Sequence, residues 1–66
     1  MAEGRVVAFD RHRGNGVIEG ALGERLFFET SAVIAPGQSR LTVGQNVSYD
    51  VSVGASGRRA VNVVPR

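Results

Sequence analysis

Arg13-Gly14-Asn15-Gly16-Val17-Ile18 and, eight residues later, Leu26-Phe27-Phe28-Glu29-Thr30-Ser31-Ala32 are the stretches on which the fold of this chain turns. Each is a short apolar run edged by glycine or polar residues, and neither shows the three-to-four spacing of a helix. Between them, Gly20-Ala21-Leu22-Gly23 reads as a hairpin, which makes the runs neighbouring strands, Asn15 to Gly20 and Glu24 to Glu29. Asn15-Gly16 carries a second local reading. Asn-Gly between strand-like runs is a type I′ turn signal, which would put a turn at these residues and make them purely structural.

The same texture extends in both directions. Gly4 to Asp10 reads as a strand before these two, and after them a long connection from Thr30 to Gly44 holds Pro36-Gly37. Val47, Tyr49, Val51 and Val53 then alternate with Ser48, Asp50 and Ser52, which gives a strand one apolar and one polar face. Gly54-Ala55-Ser56-Gly57 turns into a last strand from Arg58 to Val64. Five short antiparallel strands with one long connection predict an all-β fold closed, or nearly closed, into a small barrel, which removes exposed strand edges. An SH3-like barrel fits the strand count as well. The expected interior is Val6, Ile18, Leu26, Phe28, Val47, Tyr49, Val51 and Val63, with Phe28 supplying the largest ring.

With 66 residues, the chain is expected to make one domain over residues 1–66. A domain this short buries only about 60% of its unfolded surface, and without cysteine it has no disulfide to help. The opening Met1-Ala2-Glu3-Gly4-Arg5 is not a basic stretch leading into a long apolar run, so a cytoplasmic protein with no membrane contact is expected. The net charge is only +2, a weak argument for a polyanion partner, but all eight basic residues are arginines. Their planar forks suit phosphate and base contacts. Enzyme readings fail for want of parts. One histidine and no cysteine exclude a zinc site of the usual ligands and a cysteine nucleophile. His12 beside Asp10 imitates an acid–base pair, but in a short, wet turn. Gly14-Asn15-Gly16 is no phosphate loop, because no helix follows to aim its amides. Neither a cofactor nor a metal is called for.

Taken together, these residues resemble the bacterial cold-shock proteins along the whole chain, without gaps. In that family the first stretch reads Lys-Gly-Phe-Gly-Phe-Ile and the second Val-Phe-Val-His-Phe-Ser-Ala, two ribonucleoprotein motifs whose aromatics stack on bases. Gly4, Val6 and Phe9 match the family's opening Gly-x-Val-x-Trp-Phe-Asn; Gly14, Gly16 and Ile18 keep the first motif, and Phe27, Ser31 and Ala32 the second. Leu41, Gly44-Gln45 and Val47 resemble the entry to the fourth strand, and Gly57 with Ala60-Val61-Asn62-Val63 resembles the closing Gly-x-x-Ala-x-Asn-Val. The resemblance implies a five-stranded antiparallel barrel of the OB class, moves the first turn to Arg11-His12-Arg13, and places Gly14 and Gly16 on the second strand.

It also implies a face that binds single-stranded RNA or DNA, much altered here. Ala8 stands where the family has tryptophan, Asn15 and Val17 where it has phenylalanines, Glu29-Thr30 where it has His-Phe, and Gln38 where its long loop has an aromatic. Stacking is worth about 1–3 kcal/mol per base, so losing three contacts at the low end costs roughly 3 kcal/mol, or about a hundredfold in affinity. Weak binding is therefore expected, through Arg5, Arg11, His12, Arg13 and Arg59, with Arg58 nearby and stacking left to Phe27 and Phe9 beside it on the same face. Glu29 puts a carboxylate where phosphates would pass. The rival expectation is a protein-interaction module, with Val7, Ala8, Val17 and Thr30 as a less aromatic contact face. The charged, alternating surface favours a monomer.

Overall fold

The computed structural model describes residues 1–34 and 41–66. Its strands are β1 (Ala2–Asp10), β2 (Asn15–Gly20), β3 (Arg25–Glu29), β4 (Asn46–Gly54) and β5 (Gly57–Pro65), with one 3₁₀ turn, Thr30–Ala32, after β3. They close into a barrel in the order β1-β2-β3-β5-β4. Four seams are antiparallel, but β3 and β5 run parallel, bridged at Phe27 and Arg59 and extended by a parallel bridge from Val33 to Val63. The expectation of purely antiparallel pairing is corrected at this one seam, and the reason is topological. Five strands cannot alternate direction around a closed ring, so one pair must agree.

The first turn settles the two readings of Asn15-Gly16. Asp10 Oδ1 accepts the amides of His12 (3.0 Å) and Arg13 (3.1 Å), and the Asp10 carbonyl accepts the Gly14 amide (2.9 Å). Gly14 lies at φ 73°, where a side chain is disfavoured. The turn is thus built on Asp10 and ends at Gly14, while Asn15 and Gly16 pair with Glu29 and Phe28 as part of β2.

Inside lie Val6, Ile18, Leu26, Phe28, Leu41, Val47, Tyr49, Ala60 and Val63, all buried. Val51, expected with them, is 47% exposed, and Val53 is 75% exposed. The physical reason is the reach of β1, which pairs with β4 only from Asn46 to Tyr49. Beyond that point β4 is paired on one edge only, by β5, whose Arg59 joins β3 on its other side.

Parity along β1 is broken as well. Val6 pairs with Ile18 but Ala8 pairs with Val17, so Val7 is an extra residue, a β-bulge. Residues after it change face relative to simple alternation. Ala8 and Asp10 point outward, and Phe9 turns toward the core, where its ring stacks on Phe28 with centroids 6.3 Å apart and planes within 5°.

Candidate nucleic-acid interface

Once β1, β2 and β3 are paired, their outward side chains form three cross-strand rows. Arg5, Glu19 and Arg25 make the first; Ala8, Val17 and Phe27 the second, continued across the parallel seam by Arg59; Asp10, Asn15 and Glu29 the third. Inward rows alternate with these, Val6-Ile18-Leu26 and Phe9-Gly16-Phe28. Gly16 is required in the second inward row. A Cβ there would come within 2.5 Å of the Ala8 carbonyl and 2.8 Å of the Phe28 ring.

This arrangement corrects one element of the expected site. Phe9 does not share a face with Phe27; it belongs to the inward row and packs on the core, because the bulge at Val7 reverses its direction. Phe27 stands alone as the outward ring, 49% exposed. Four consecutive apolar residues, Val6-Val7-Ala8-Phe9, were the one signal of this in the sequence, since an alternating strand cannot hide such a run on one face.

The charges organise themselves in the same rows. Glu19 reaches both Arg5 (3.7 Å) and Arg25 (3.8 Å); Arg13 lies 3.8 Å from Asp10, Arg59 3.9 Å from Glu29, and Arg66 3.4 Å from Glu3. Of the expected cations, Arg5, Arg13 and Arg59 are therefore each paired with a carboxylate, while Arg11 and His12 are exposed in the first turn and make no ion pair among the described residues. Arg58 is exposed at the start of β5, also without an ion pair among them. Asp10 serves the amide of His12 and not its imidazole, so the pair is a turn device. Exposed pairs at these distances are worth about 0–1 kcal/mol and open readily to a competing anion. The sequence showed the charges but not the pairing, which depends on strand register.

Arg5 also borders a groove of about 590 Å³ with Glu3, Glu19, Asn46 and Arg66, lined too by Gly4 and Gly20. Arg66 is braced there, its Nη1 donating to the Ser48 hydroxyl at 2.7 Å. Gln38 lies outside the described residues. No helix is long and apolar enough to cross a membrane, and no group of three or more His, Asp or Glu side chains is placed to hold a metal, both among the described residues.

A family model described as the 'Cold-shock' DNA-binding domain matches residues 2–66. The chain belongs to the cold-shock domain family. Its similarity to individual members spans nearly the full chain. It is 41% identical over 63 residues to cold shock protein CspC of Bacillus subtilis (strain 168), covering 96% of both chains. It is 40% identical over 62 residues to cold shock-like protein CspC of Bacillus cereus, covering 94% of this chain and 95% of that one. Against the major cold shock protein of Streptococcus pyogenes serotype M1 it is 38% identical over 63 residues, covering 96% and 94%. Cold-shock domains are nucleic-acid-binding, non-enzymatic modules. On this cold-shock barrel the outward face of β1, β2 and β3 carries one ring where a stacking surface would need several.

Proposed function

We propose that this cold-shock barrel binds single-stranded RNA or DNA weakly, with Phe27 stacking one base and Arg5, Arg11, Arg13 and Arg59 contacting the backbone. The observation that carries this reading is the row Ala8-Val17-Phe27-Arg59: a half-exposed ring with a guanidinium across the adjoining seam, on a face flanked by further arginines. His12 adds a donor at the first turn. Phe9, partly buried against Phe28, supports the sheet from its inner side. Weakness follows from the single ring and from the carboxylates of Asp10, Glu19 and Glu29, which an incoming phosphate must displace from their arginines.

Fluorescence anisotropy with labelled pyrimidine-rich single strands tests this at low and moderate salt. About three phosphate contacts to a single strand give a log–log salt slope near −2. Arg13→Ala should weaken binding and flatten that slope. A second reading, a protein-interaction surface built from Val7, Ala8, Val17 and Thr30, is favoured by the apolar character of Ala8 and Val17 in the central row. Binding to single strands that is absent at low salt would transfer the function to that reading.

A further inference from the structure

We propose that the Glu29–Arg59 pair beside Phe27 is a base-reading device selective for guanine. This rests on the single-strand reading above and deepens it, moving Arg59 from the backbone to the edge of the base where that base is guanine. Phe27 and Glu29 point outward from the same strand two residues apart, roughly 7 Å along β3. Arg59 is the partner of Phe27 across the β3–β5 seam, and its Nη1 lies 3.9 Å from Glu29 Oε2. The only outward ring of the sheet thus has a cation and an anion, already side by side, at its rim. Both are reachable by a ligand, at 43% and 55% exposure.

A base stacked on Phe27 turns its hydrogen-bonding edge toward these two groups. The guanidinium only donates and the carboxylate only accepts. They therefore demand an edge on which an acceptor sits next to donors. Guanine presents that order, with O6 as acceptor beside the N1 and N2 donors, so the carboxylate accepts two parallel bonds while the guanidinium donates to O6. Uracil and thymine offer O4 and the N3 donor, but then set O2 against the second carboxylate oxygen. Adenine presents one donor, N6, and no second donor for the other oxygen. Cytosine gives N4 to one carboxylate oxygen and takes two guanidinium donors on N3 and O2, leaving the second carboxylate oxygen unpaired, so it is the nearest competitor. The carboxylate that disfavours a passing phosphate is, for this one base, the recognising group. Asn15 stands across from Glu29 in the same row.

The test is anisotropy with a seven-nucleotide thymidine strand and with the same strand carrying one central guanosine, adenosine, cytidine or inosine. A single guanosine avoids four-stranded association. The guanosine strand should bind about tenfold more tightly than the all-thymidine strand, with inosine, which lacks the N2 amine, between them. Glu29→Gln should reduce the guanine preference to within about twofold while binding to the thymidine strand stays level or strengthens. A merely structural role for Glu29 would weaken every strand alike, which would overturn the proposal, as would equal binding of all five strands by the native protein. Those results leave the single-strand reading standing; absence of binding to every strand at low salt overturns both.

Discussion

Tyr49 is wholly buried, and its hydroxyl makes no hydrogen bond among the described residues. A buried, unpaired hydroxyl is a net liability on the order of 1 kcal/mol. Tyr49→Phe is therefore expected to raise the melting temperature by roughly 5 °C, given the small unfolding entropy of a chain this size. Burial also raises the phenol pKa above its ordinary value, and the Glu24 carboxylate adds to the effect. The folded state then holds the phenolic proton more tightly than the unfolded chain does. Stability is intact below the unfolded value of about 10 and falls as pH rises through the folded one, so thermal melts from pH 9 upward should show an alkaline loss that Tyr49→Phe removes. Phe28 sets the opposite case. Its ring fills the interior against Phe9 and the bare backbone of Gly16, and Phe28→Ala should destabilise by about 3–5 kcal/mol, read from urea denaturation. An unchanged midpoint would contradict the register of β2 against β3.

Two irregularities shape the elements. On β1, the extra residue Val7 turns Phe9 inward and frees the outward row for Ala8. On β5, Ser48 pairs with Val64 but Asp50 with Val61, so two residues, Asn62 and Val63, face Tyr49 alone. Asn62 takes φ 51°, the left-handed region, and its amide donates to Asp50 Oδ2 at 3.1 Å. Asparagine tolerates this conformation, whereas a β-branched residue does not. Asn62→Val should cost about 2 kcal/mol in chemical denaturation, and Asn62→Gly much less. Both strands were legible in the sequence, and so was the β4–β5 hairpin, whose turn Gly57 closes at φ 106°. The bulge on β5 was not, and that on β1 showed only as the apolar run Val6-Val7-Ala8-Phe9, because alternation of side chains describes a regular strand. The exposed Val51 and Val53 have the same origin, at the point where β1 stops covering β4.

At the scale of the molecule, binding strength is set by how few rings the outer sheet carries and by how many of its cations are already engaged. Five arginines are paired with carboxylates among the described residues. A variant with Ala8→Trp, Asn15→Phe and Val17→Phe places three rings on outward positions of β1 and β2 around Phe27. It should bind pyrimidine-rich single strands about a hundredfold more tightly than the native chain by anisotropy. The salt slope should change little, because stacking releases no counterions. A gain in affinity confined to low salt would instead mean that the new rings act by rearranging the arginines.

Strand number, the hairpin at Gly20 to Gly23, most of the core apart from Leu41 and Ala60, and the depleted set of aromatics follow from residue order, because turn chemistry and side-chain alternation act over a few residues. Closure decided the rest. Joining five strands in a ring forced the parallel seam that sets Arg59 against Phe27, and the bulge at Val7 turned the Phe9 ring inward. The partners of the arginines were settled by the same step, since a cross-strand pair exists only once register is fixed between residues distant in the chain.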